Sequence, residues 1–103
     1  MTFGVVYSAT AREDLVRLYG FLIDRATTVE DLALAERALD TITSSVDRLC
    51  EAPFIYRKAE ASPFLRELII PFGAAGFVAL FEIEDDATVT ILALRHQLED
   101  DYH

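Results

Sequence analysis

The chain has one cysteine, no tryptophan, three prolines and four glycines among 103 residues. A lone Cys50 excludes an internal disulfide and a cysteine-based zinc cluster. It lies beside Leu49 in an apolar stripe and reads as a small buried hydrophobe, not a reactive thiol. Cations are scarce too: nine Lys and Arg stand against eighteen Asp and Glu, a net charge of −9. Affinity for a nucleic-acid backbone comes from cations that displace counterions, so this balance disfavours free RNA or DNA and favours a protein partner. No apolar run approaches the ~20 residues that span a bilayer. Met1-Thr2-Phe3-Gly4 also lacks the basic-then-apolar layout of a signal peptide. The expectation is a soluble, cytoplasmic protein with no membrane partner, no metal and no cofactor.

What is present suffices for a core. Hydrophobic residues make up 52% of the chain, too many for a disordered polymer, and the length suits a single domain over residues 1–103. Phe3, Val5 and Tyr7 alternate onto one face of a first strand. Ser8 or Thr10 can cap a helix in which Ala11, Leu15, Leu18, Tyr19 and Leu22 recur at helical spacing. Arg12, Glu13 and Arg17 are left to solvent, with Glu13 and Arg17 a favourable i,i+4 pair. Thr27 with Glu30, or Thr28 with Asp31, forms a capping box for a second helix. Its stripe is Leu32, Ala35, Leu39, Ile42, Val46 and Leu49, and Pro53 ends it. Too few heptads are present for a coiled coil, and the short connection predicts an antiparallel helical hairpin.

Residues 51–63 read as a connector holding two prolines and the basic doublet Arg57-Lys58. Three strands follow: Phe64 to Ile70, closed by Pro71; Phe77 to Ile83, apolar on both faces and so central; and Thr88 to Leu94. A Gly73-Ala74-Ala75-Gly76 turn and an acidic Glu84-Asp85-Asp86 turn separate them. The order β-α-α-β-β-β predicts a two-layer α+β domain: a helical hairpin on a mostly antiparallel four-stranded sheet.

This order resembles the RelE/ParE toxin superfamily of type II toxin–antitoxin systems over essentially the whole chain. The likeness is carried by Ser8, Ala11 and Asp14-Leu15 at the strand-to-helix junction, and by Leu49 and Pro53 after the second helix. It continues through Leu65-Arg66-Glu67-Leu68, Gly76-Phe77-Val78-Ala79-Leu80-Phe81 and Arg95-His96-Gln97, with Tyr102 beyond. The resemblance implies a cognate ParD-like antitoxin bound in a hetero-oligomer, and one of two targets. RelE-like members cut messenger RNA on the ribosome; ParE-like members poison DNA gyrase.

RNA cleavage needs a base, an acid and cations for the phosphate. By resemblance the candidates are Arg66, His96 and Tyr102, with Arg57, Lys58, Arg95 and His103 nearby in sequence. Arg66 shares a face with Phe64, Leu68 and Ile70, so its charge snorkels at an edge or pairs with a carboxylate. Where RelE-like nucleases tend to have a further arginine this chain has His96, and the second helix bears Glu30, Asp31, Glu36, Asp40 and Asp47. The ParE-like branch is therefore favoured, with no catalytic residues and with contact surfaces in their place. Phe54, Ile55 and Tyr56 followed by Arg57 and Lys58 combine aromatics with cations, a composition enriched at binding hot spots. Arg66, Arg95, His96 and Tyr102 complete the target- or antitoxin-binding candidates. An antitoxin segment is expected along the sheet and hairpin, with cations facing the acidic helices. An inactive interaction module is the third reading.

Overall fold

Ser8 is where the first strand becomes a helix. Its backbone is extended and its Oγ accepts from the Ala11 amide at 3.0 Å, satisfying a donor that the first helical turn leaves open. In the computed structural model, which describes residues 2–97, strand β1 (Gly4–Tyr7) thus leads into helix α1 (Ala9–Asp24). Thr28 caps helix α2 (Val29–Asp47), its Oγ1 accepting from the Asp31 amide. The Asp31 carboxylate accepts from the Thr27 amide at 3.0 Å, and that bond lowers its pKa from the ordinary value. The two helices pack as the expected hairpin, and α2 buries Ala35, Ala38, Ile42 and Val46.

Pro53 does not end α2. The helix tightens into a 3₁₀ turn over Arg48–Cys50, and Pro53 opens a second such turn, Pro53–Ile55. Four strands follow: β2 (Arg57–Lys58), β3 (Leu65–Phe72), β4 (Ala75–Ile83) and β5 (Thr88–His96). They join β1 in one sheet of order β1-β5-β4-β3-β2. The four-stranded expectation needs two corrections. Arg57-Lys58, placed in the connector, pairs antiparallel with Glu67 and Arg66 as a fifth strand too short to show a period. The N-terminal strand runs parallel to β5, Val5 opposite Val89 and Tyr7 opposite Ile91. The chain between the two strands holds the helical hairpin and the other three strands, more than the dozen or so residues that a parallel pairing requires. β4 is central, as its two apolar faces imply.

The β3–β4 turn is narrower than expected, because Phe72 and Ala75 already pair and only Gly73-Ala74 lie between them. Gly73, at φ 61°, supplies the left-handed backbone that this two-residue turn needs at its first position. Gly76, inside β4 at φ 157°, has no room for a Cβ, which would run into the Ile70 carbonyl oxygen.

One face of the sheet meets the helices. Leu68, Ile70, Phe77, Ala79, Phe81, Val89, Ile91 and Leu94 form the core there with Leu18, Ile42 and Leu49. A bulge sets which residues these are. Leu80 faces Ala93 but Phe81 faces Ile91, so Leu92 is an extra residue in β5. After it the alternation shifts, turning Leu94 and His96 toward the helices and Arg95 to the opposite face.

Helix α1 also completes the edge of β5. β1 reaches only Ile91. Beyond that point Ser8 Oγ donates to the Leu92 carbonyl at 3.2 Å, and the Leu94 amide donates to Asp14 Oδ2 at 2.9 Å. Arg17 Nη2 donates to the Leu94 carbonyl at 3.3 Å. Side chains of a helix thereby replace the missing strand, and Asp14 is buried for that purpose, not merely placed at the positive helix end.

Candidate functional site

The candidate residues fall into three places. At one end of the sheet, half-buried Arg66 is held by backbone carbonyls, with no carboxylate paired to it among the described residues. Its Nε donates to the Pro63 carbonyl at 2.7 Å, and its Nη1 donates to the carbonyls of Phe54 and Tyr56 at 3.0 and 2.7 Å. The fork of a guanidinium suits this, since one rigid plane can serve acceptors in several directions. Arg66 thus fastens the connector to the sheet. Above it Phe54 and Phe64 meet edge to face, centroids 6.3 Å apart, while Tyr56 turns inward against Phe81. Phe54, Ile55 and Phe64 remain exposed, Ile55 at 75%.

On the sheet face away from the helices, Arg57 pairs with Glu67 at 2.8 Å. Arg95 lies on that same face, opposite Val78. Arg57 and Arg95 occupy β2 and β5, strands about 14 Å apart at ordinary spacing, and Arg95 is displaced two residues along β5 from the row that Arg57 shares with Glu67, Leu80 and Ala93. Lys58 is exposed at the β2 edge. Arg66 and His96, named together for cleavage chemistry, are on the helix-covered face at opposite ends of β4, aligned with Phe81 and Phe77 respectively. Tyr102 and His103 lie outside the described residues. The geometry does not join Arg66 with His96, nor either with Arg57.

The third place was not among the sequence candidates. Where α1 crosses the far end of the sheet, a cleft of about 470 Å³ opens between Arg17, Phe21 and Leu22 of the helix and Phe72, Phe77 and His96 of the strands. Its strand wall is a run of rings: Phe72 to Phe77 at 5.9 Å, then Phe77 to His96 at 5.6 Å and perpendicular. Phe21 is 53% exposed. The Arg25 guanidinium sits over its ring, 3.7 Å from the centroid. A signal for this site exists in the sequence: Phe21 lies off the core stripe, with Arg17 four residues before and Arg25 four after, all on one helical face.

Cys50 is half-buried, and its carbonyl accepts from the Phe3 amide at 2.7 Å. The Tyr7 hydroxyl is buried with no hydrogen-bond partner among the described residues. Burial first, then the Asp47 carboxylate, pushes its pKa up to about 12. No helix among the described residues is long and apolar enough to cross a membrane.

A helical hairpin on this mixed sheet is the architecture of the RelE/ParE superfamily. Residues 5–101 match the model of the ParE toxin of type II toxin–antitoxin system, parDE, and the chain belongs to that family. Two relatives from Caulobacter vibrioides are similar along most of their length. Toxin RelE3 is 36% identical over 86% of this chain and 88% of its own. Toxin RelE1 is 32% identical over 96% and 98%. A solved chain of the chromosomal ParDE TA system from P. aeruginosa has a TM-score of 0.72 at 18% identity, covering 92% of this chain and 96% of that one; this likeness concerns the fold.

Proposed function

We propose that the protein is a non-enzymatic toxin, active as a single domain over residues 1–103 in the cytoplasm, which inhibits DNA gyrase by binding it and is neutralised by a cognate ParD-like antitoxin. The observation that carries this reading is the engagement of Arg66 with three backbone carbonyls. The cation expected to grip a scissile phosphate is occupied in holding the connector. Arg57 is likewise paired with Glu67. The net charge of −9 supports the same conclusion, because it opposes approach to ribosomal RNA. Exposed Phe54, Ile55 and Phe64 beside Lys58 offer an apolar contact surface of the kind that marks protein binding.

The test is induction of the chain in a bacterial host, followed by assays of purified protein. Filamentation with DNA-damage signalling, and loss of gyrase supercoiling in vitro, are expected. The relatives' RelE names make ribosome-dependent messenger RNA cleavage the specific rival. Cleavage with supercoiling intact would overturn the proposal, and no growth defect would favour an inactive interaction module.

A further inference from the structure

We infer that the target is met by the end of the sheet where Phe54, Ile55 and Phe64 stand beside the acidic β4–β5 turn, and that the target surface bound there is cationic, with lysines or arginines around an apolar contact. The inference rests on the reading of the protein as a toxin that works by binding gyrase, and it adds the sign and layout of the surface bound.

The fold puts the apolar and acidic features side by side. Phe64 precedes β3, and its carbonyl accepts from the Ile83 amide at 2.8 Å where β4 ends. Glu82 lies across the ladder from Leu65. A shallow hollow of about 240 Å³ separates Ser62 and Phe64 on one side from Glu82 and Glu84 on the other. Phe54 stands edge-on to Phe64, with Ile55 next to it in the chain, and all three side chains are exposed. Apolar groups of a partner that cover them release water from both surfaces.

The charge beside them is uncompensated. Between Arg66 and Arg95 the chain has no Lys or Arg, and Glu82, Glu84, Asp85 and Asp86 are all exposed. None of the four forms an ion pair among the described residues. Glu84 accepts from the Thr90 hydroxyl and Asp85 from the Ala87 amide, neutral donors that leave each charge in place. Three cations lie at this end of the sheet. Arg57 is paired with Glu67, and Arg66 is turned to three backbone carbonyls. Lys58 is exposed at the β2 edge, with the further carboxylate Glu60 two residues along. The local charge is therefore negative, and its electrostatic complement is a cluster of lysines and arginines. That chemistry suits a target that handles DNA, whose phosphate-binding surfaces are cationic.

The test titrates purified gyrase, as separate subunits and assembled, with the full chain in the absence of DNA. Binding should weaken as salt rises. Ile55→Glu should lower affinity roughly thirty-fold or more, the scale of losing a hot-spot anchor. Glu82→Lys and Asp86→Lys should each lower it roughly five-fold at low salt, the scale of one charge contact in water, and less at high salt. Phe21→Glu, at the other end of the sheet, should bind as wild type does. Urea midpoints check that the variants fold; if Ile55→Glu is destabilised, the two exposed lysine variants carry the test. Unchanged affinity in Ile55→Glu, or affinity kept or raised by both lysine variants, overturns the inference and leaves gyrase binding intact. A loss confined to Phe21→Glu overturns it as well, moving the contact to the α1 cleft. So does a wild-type dimer that Ile55→Glu renders monomeric, which gives the patch to a second copy. If gyrase never binds, the gyrase reading falls, and induction in the host decides the inference. Growth arrest lost in Ile55→Glu and Asp86→Lys supports it, with another target of the same chemistry; arrest kept by both, or absent in wild type, overturns it.

Discussion

Replacing Asp14 should be among the costliest single changes outside the apolar core. Asp14 is 9% exposed, and its Oδ2 takes the Leu94 amide at 2.9 Å. Among the described residues no strand lies beyond β5 at this point, so the carboxylate is what that amide has in place of a neighbouring carbonyl. Asp14→Ala leaves a buried N–H with no acceptor and strips Arg17 of a carboxylate 3.8 Å away. A hydrogen bond to a charged group contributes about 1.5–3 kcal/mol, and burying an orphaned donor belongs to the same range. The Arg17 contact is long, at 3.8 Å, and half-exposed on the arginine side, so it adds little. The expected loss is about 2–3 kcal/mol, or roughly 10–20 °C in Tm for a domain of this size. Asp14→Asn keeps an acceptor oxygen without the charge and should lose about 1 kcal/mol. Urea unfolding gives the energies, with exposed Asp40→Ala as the control. Amide hydrogen exchange gives the location: Leu94 should lose protection while Val78, bonded within the sheet, should not. If Asp14→Ala stays within about 0.5 kcal/mol of wild type, a range ordinary for surface changes, the claim that α1 substitutes for a strand fails.

Other expectations follow from single atoms. Gly76→Ala should cost about 3 kcal/mol or abolish folding, since its Cβ meets backbone that cannot yield. Gly20→Ala, mid-helix with open space around it, should stabilise by about 0.5–1 kcal/mol in the same urea assay. Arg66→Lys should lose about 1–2 kcal/mol, because an ammonium cannot span the carbonyls that the fork reaches. A folded Arg66→Lys with unchanged stability but lost messenger RNA cleavage would instead assign Arg66 to phosphate chemistry. For Tyr7 the raised pKa fixes the sign of an alkaline effect. The unfolded phenol ionises near 10.0 and the folded one near about 12. Its contribution is therefore complete below pH 10.0 and lost as pH rises toward about 12. Tyr7→Phe should flatten that decline and leave neutral-pH stability unchanged or slightly higher, as seen in urea midpoints across the window.

Sequence periodicity was enough for the helices because each carries a cap and a stripe within itself. Ser8 and Thr28 announce the starts of α1 and α2, and the buried faces repeat at helical spacing. The sheet was less legible because its information is relational. A two-residue strand such as Arg57-Lys58 has no period, and only its ladder with Glu67 and Arg66 makes it a strand. The parallel union of β1 with β5 joins residues more than eighty positions apart, such as Val5 and Val89. The bulge at Leu92 is likewise visible only across the ladder. Straight alternation from Val89 and Ile91 would send Arg95 into the core and His96 outward, the reverse of what β4 imposes.

The same distinction decides how charge should be read. A net charge of −9 argues correctly against a phosphate-binding surface as a whole, but it averages over faces that partners meet one at a time. Much of the excess lies on α2, whose five acidic residues Glu30, Asp31, Glu36, Asp40 and Asp47 stand against one basic residue, Arg37, and the rest lies after it, as in the Glu84-Asp85-Asp86 turn. Helix α1 is balanced, with Arg12 and Arg17 against Glu13, Asp14 and Asp24 and with Arg25 at its cap. Asp14 is buried under β5, yet its Oδ1 lies 3.8 Å from Arg17 Nη2, so its charge still acts on that arginine. Asp24 stays exposed next to Arg25 in sequence. Each arginine in the second half of α1 therefore has a carboxylate close by, and a partner meets there a far smaller positive charge than the arginines alone suggest. What distinguishes that end of the helix is exposed Phe21, an apolar feature that no count of charges registers.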